Sequence, residues 1–176
     1  MAKAAVKDYE ENTTLNDDDI DLGEAEDFKL PSVGIHRANL SAIEMSVTKE
    51  KPGKVQRPMI ILTVTLSPED PDAPNLPMRK YLTWPVDGDR ETMWGTGANA
   101  RTAHGAQIQS IKEVLTAFGG QESGSIARSS VAAFLSDNIG KACRVSIKQE
   151  NRKDQVTGEP FDPPEYQANI GKFLPA

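Results

Sequence analysis

A single cysteine, Cys143, stands in the 176 residues of the chain. That excludes an internal disulfide and the thiolate cluster of a structural zinc site. Histidine is nearly as scarce. His36 and His104 lie far apart, so the His pair usual in metal centres is missing. No apolar run approaches the ~20 residues of a membrane span. The opening "MAKAAVKDYEENTT" lacks the apolar core of a signal peptide. These absences lead us to expect a cytoplasmic protein with no membrane partner.

Enzyme motifs are equally thin. There is no Gly-Lys-Ser/Thr phosphate loop. "GTGANA" (95–100) matches a dinucleotide fingerprint in letters only, because no strand precedes it and no helix opens within it. His104 and Ser110 could pair as base and nucleophile, but nothing places a third member beside them. The expectation is a protein without catalysis, cofactor or metal.

Acidity is present but uneven. The net charge is −6, yet residues 1–28 alone carry two lysines and ten carboxylates, a local charge of −8. Residues 29–176 therefore hold 18 basic and 16 acidic groups, a charge of +2. A body so balanced can carry a basic patch. The first segment, with "NDDDIDLGEAED" and few apolar anchors, cannot bury enough surface to offset its ordering entropy. The chain thus reads as a disordered acidic tail, 1–28, followed by one domain, 29–176.

Within that domain "GIHRANLSAIEMSV" (34–47) reads as a long strand whose apolar phase slips by one residue, the mark of a bulge and bend. A Pro-Gly turn, "TKEKPGKVQR", leads to "MIILTVTL" (59–66), apolar on both faces and so an interior strand. The third strand is 78–84. Its alternation puts Lys80, Leu82 and Trp84 on one face and Arg79 and Tyr81 on the other. Residues 85–105 are glycine-rich and aperiodic, and are expected to form a mobile loop. "AQIQSIKEVLTAFGG" repeats apolar residues at helical spacing, with Gly119 placed as its C-terminal cap. A short helix, "SSVAAFLSDN", follows, with Ser129 or Ser130 as N-cap. "KACRVSIKQE" (141–150) alternates Cys143, Val145 and Ile147 against Arg144 and Lys148. "EYQANIGKFLP" forms the last strand. The fold class is mainly β with one or two short helices. Three strands, a helical segment and two strands describe a five-stranded OB-type barrel.

Such a barrel binds oligonucleotides between its first and last interstrand loops. Both are basic here: Lys49, Lys51, Lys54 and Arg57 in one, Arg152 and Lys153 in the other. Tyr81 shares its face with Arg79, a pairing suited to stacking on a base and neutralising a phosphate. Trp94 stands in a polar loop near Arg101, where an aromatic needs the domain or a ligand to cover it. Arg37, on the first strand, completes the candidate nucleic-acid-binding set.

"GIHRANLSAIE", "MIILTVTL", "KYLTWP", "LTAFGG", "NIGKACRVSI" and "ANIGKFLP", in that order, resemble the small single-stranded DNA-binding proteins encoded by phages and prophages. The resemblance spans about residues 30–174. It implies an OB fold and sequence-tolerant single-stranded DNA binding in phage replication or recombination, in the host-cell cytoplasm. The tail is similar to the acidic tip with which bacterial single-stranded DNA-binding proteins recruit partners, although it sits at the other terminus. On that likeness Asp17, Asp18, Asp19, Ile20, Asp21 and Phe28 would meet a replication or recombination protein. Two other classes fit the residues: a virion or assembly component, and a DNA-mimic adaptor whose tail binds a basic protein.

Overall fold

The structure, a computed structural model, describes residues 30–53, 55–154 and 157–176. The tail residues Asp17, Asp18, Asp19, Ile20, Asp21 and Phe28 lie outside the described residues, as does Lys54. In chain order the elements are β1 (Gly34–Val47), β2 (Pro58–Leu66), β3 (Pro77–Thr83), β4 (Met93–Trp94), β5 (Arg101–Thr102), α1 (Ala103–Ala117), α2 (Arg128–Asp137), β6 (Ala142–Asn151) and β7 (Tyr166–Pro175). The protein is mainly β. Five strands form one antiparallel sheet in the order β3-β2-β1-β6-β7, and β4 and β5 form a small separate hairpin.

Alternation decides what each strand buries. Ile60, Leu62, Val64 and Leu66 of β2 point inward beside Met78 and Leu82 of β3. Ala38 and Leu40 of β1, Cys143, Val145 and Ile147 of β6, and Ile170 and Phe173 of β7 complete the sheet's half of the core. The phase slip in β1 is a register shift between Leu40 and Ala42. It lets Leu40 and Ile43, an odd number of residues apart, face the same interior. α1 closes the core with Ile111, Val114 and Leu115. Beyond its end, Phe118 meets Phe173 with ring centroids 6.3 Å apart. Gly119 ends this helix at φ +76°, with its N–H on the Thr116 carbonyl and the Gly120 N–H on the Leu115 carbonyl. That paired pattern needs the left-handed residue that glycine supplies.

Three expectations change. The sheet does not close into a barrel. Its edges β3 and β7 approach each other, but Lys80 Nζ spans the seam by donating to the carbonyls of Ile170 and Gly171, both at 3.0 Å. Those carbonyls accept from an ammonium in place of a backbone ladder. Burial lowers the Lys80 pKa, opposed by the Glu113 carboxylate of α1. Second, the segment expected as a mobile loop is folded into the β4–β5 hairpin and a 3-10 turn, Gly97–Asn99. Gly95 has φ +80°, and a Cβ there would meet the Asn99 carbonyl oxygen at 2.8 Å. "GTGANA" is a hairpin turn. Third, α2 starts at Arg128 behind Ala127, without a side-chain cap from Ser129 or Ser130.

Candidate nucleic-acid interface

The β2–β3 register sets Ile61 beside Tyr81, Thr63 beside Arg79 and Met59 beside Thr83 on the outward face. β1 adds Glu44 opposite Ile61 and Ser46 opposite Met59. Leu82 is buried and Trp84 packs half-buried against the core, so Arg79 and Tyr81 face solvent. Tyr81 is 54% exposed.

Beyond Thr83 this strip enters a cleft of about 890 Å³. Lys49 and Lys51 from the β1–β2 loop and Trp94 from the hairpin line it, with Asp87 as an acidic group on its wall. Trp94 is 45% exposed. It pairs across the hairpin with Arg101, so that arginine stands at the same edge. Lys49 and Lys51 enter no ion pair among the described residues.

A buried carboxylate fixes the shape of the cleft. Asp89 is fully enclosed. Its Oδ2 accepts from the Val86 N–H at 2.9 Å, and its Oδ1 lies 2.6 Å from Arg57 Nη1, a close ionic contact. With its amide oriented to match donors to acceptors, Gln107 of α1 donates to Asp89 at 3.1 Å and accepts from Arg57 at 3.0 Å. Burial would raise the Asp89 pKa, but the Val86 N–H and the Arg57 guanidinium outweigh it and hold the carboxyl below its ordinary range. The β1–β2 loop, the segment before β4 and the first turn of α1 are thus tied at one point. The Thr102 hydroxyl caps that turn, accepting from the Gly105 N–H at 3.0 Å.

A second buried pair lies away from the cleft, where the β2–β3 loop meets the start of β1. His36 Nδ1 lies 2.6 Å from Asp70 Oδ2 and Nε2 lies 2.8 Å from the Ser32 carbonyl. Both ring nitrogens face acceptors, so both must donate and the ring is an imidazolium. Burial works against that charge, but the bonds to Asp70 and Ser32 prevail and raise the His36 pKa. Burial likewise opposes the Asp70 carboxylate, and the His36 bond prevails to lower its pKa. Asp70 also accepts from the N–H groups of Asp72 and Ala73 within the β2–β3 loop, and its bond to His36 moors that loop to β1.

The structure therefore brings Lys49, Lys51, Arg57 and Trp94 to one cleft, with Arg101 at its edge and Arg79 and Tyr81 on the strip leading in. Arg57 is a partial exception, since Asp89 and Gln107 engage its guanidinium. Arg152 and Lys153 do not line the cleft. Arg152 pairs with Glu165 at 2.7 Å and lies 5.6 Å over the Phe161 ring. Arg37 sits on β1 opposite Arg144, away from the cleft. Sequence reasoning missed Asp89 and Gln107. An aspartate in a glycine-rich loop and a glutamine on a helix carry no pattern that announces burial.

Among the described residues no group of three His, Cys, Asp or Glu side chains could hold a metal ion. No helix among them is long and apolar enough to cross a membrane. Comparison of the chain with protein-family models and with curated proteins finds no match.

Proposed function

We propose that the domain binds single-stranded DNA along the outward strip of β3 and the cleft it enters, largely without sequence preference. The observation that carries this reading is one continuous surface with two half-exposed aromatics, Tyr81 and Trp94, and two lysines outside any described ion pair. Aromatics accept any base by stacking, at ~1–3 kcal/mol per base, and lysines neutralise phosphates with release of counterions.

The strand order supports an OB-type reading. A partly open five-stranded Greek-key barrel, with a helix between its third and fourth strands, yields the order β3-β2-β1-β6-β7 when its seam is open. In that fold the second and third strands and the first loop form the oligonucleotide face. Here those parts are β2, β3 and the Lys49–Lys51 loop. Taken with the resemblance to phage and prophage proteins, the reading assigns a role in phage DNA replication or recombination.

The test uses a Trp84→Phe variant, in which Trp94 is the only tryptophan. Titration with oligo-dT should quench its fluorescence, and added salt should reverse the quench. Unchanged fluorescence with no shift in oligonucleotide anisotropy would overturn the reading.

A further inference from the structure

Away from the cleft, the outward face of β1, β6 and β7 carries a second group of cations. The register sets Arg37 directly opposite Arg144, and both are exposed. Cys143, Val145 and Ile147 point into the core, so Arg144 and Lys148 point out. Exposed Lys172 lies alongside, its backbone N–H donating to Ser146 Oγ at 2.7 Å. Like charges opposed across a ladder are unfavourable. No carboxylate among the described residues forms an ion pair with either arginine. Arg144 Nε donates to the Pro175 carbonyl at 2.8 Å, which orients the guanidinium and leaves its terminal nitrogens for another acceptor. A concavity of about 490 Å³ lies between the two arginines, with Asn39, Ser67 and Ala176 on its wall.

We propose that this face is a second phosphate-binding surface, centred on Arg37 and Arg144, over which the same single strand continues after leaving the cleft. The inference rests on the single-strand reading above. Each guanidinium presents a planar fork of N–H donors that matches phosphate oxygens, and a bridging phosphate relieves the repulsion between the two. Position sets the consequence. Thr48, just past the end of β1, lines the cleft, and Arg37 lies eleven residues earlier, at most roughly 35 Å of chain at ~3.3 Å per residue and less for the bulge after Leu40. A short oligonucleotide seated in the cleft does not reach the pair. A long one does.

The experiment measures anisotropy of labelled oligo-dT on the full chain at two lengths. One is near the lower end of the ~4–16-nucleotide site of such a domain, the other about twice its upper end. In R37A/R144A the long oligonucleotide should lose affinity about tenfold. The steepness of log K against log salt should fall by about 1.4, two phosphates at ~0.7 each. Short-oligonucleotide affinity should hold, and R37K/R144K should keep most of the salt dependence. Unchanged long-strand affinity and slope would overturn the proposal, and so would an equal loss at both lengths. A loss that vanishes when residues 1–28 are deleted would also overturn it, since the pair would then serve the acidic segment. Wild-type protein that binds neither length overturns the single-strand reading itself.

Discussion

Replacing Asp89 with asparagine tests whether the cleft is held by its buried carboxylate. The side chain keeps its shape and one oxygen can still accept from the Val86 N–H. The charge is lost, and an amide N–H₂ now faces the donors of Arg57 or Gln107. A hydrogen bond to a charged group contributes ~1.5–3 kcal/mol, and breaking a buried pair costs ~3–5 when the remaining charge is trapped. Arg57 is not trapped, because its side chain keeps 31% of its exposure and can turn to water. We therefore expect D89N to cost about 2–3 kcal/mol. At an m-value of ~1.5 kcal/mol/M the urea midpoint should fall by roughly 1.5 M with m unchanged. Hydrogen exchange at the Val86 and His104 amides should accelerate more than at Leu62 in the core, since their partners, Asp89 Oδ2 and the Asp89 carbonyl, belong to this junction. Single-strand affinity should drop as Trp94 loses its support. A midpoint within ~0.3 M of wild type would refute the reasoning.

The His36–Asp70 pair makes stability depend on pH from both sides. The raised His36 pKa contributes stability that is complete below the ordinary value of 6.5 and is lost as pH rises through the folded value. The lowered Asp70 pKa contributes stability present above 3.8 and lost as pH falls through its folded value. D70N should flatten the alkaline decline in a urea series; an unaltered profile would show that the pair is not its source. Leu82→Ala should cost ~2–5 kcal/mol. Tyr81→Ala should leave the melting temperature within a degree or two and weaken oligo-dT binding by ~1–3 kcal/mol; if it unfolds the domain instead, the face assignment is wrong. Deleting residues 1–28 should tighten single-strand binding at low salt, with the difference vanishing as screening increases; weaker binding would exclude the segment as a competitor.

Much of this was legible because it is local. The alternation in "RKYLTW" told Leu82 from Tyr81, and the phase slip after Leu40 located the bulge. Gly119 marked the end of α1. What stayed hidden depends on segments distant in sequence. Asp89 falls in the stretch expected to be a mobile loop, and nothing local in that stretch shows that Arg57 and Gln107 enclose it. Arg57 looked like a free cation for the same reason. Arg144 gained meaning only from a register that sets it against Arg37. Lys80 alternated correctly onto the inner face, but its reach to Ile170 and Gly171, 90 and 91 residues away, is a tertiary fact. The β4–β5 hairpin is two residues deep, too short to show a period.

The most direct test of the central claim is a paired titration of the full chain with oligo-dT and with duplex DNA of equal length, at several salt concentrations. Stacking needs unpaired bases, so the outward Tyr81 and Trp94 should favour the single strand at every concentration, with both affinities falling as salt rises. Equal affinity for the two forms, or binding to neither at low salt, would contradict the account.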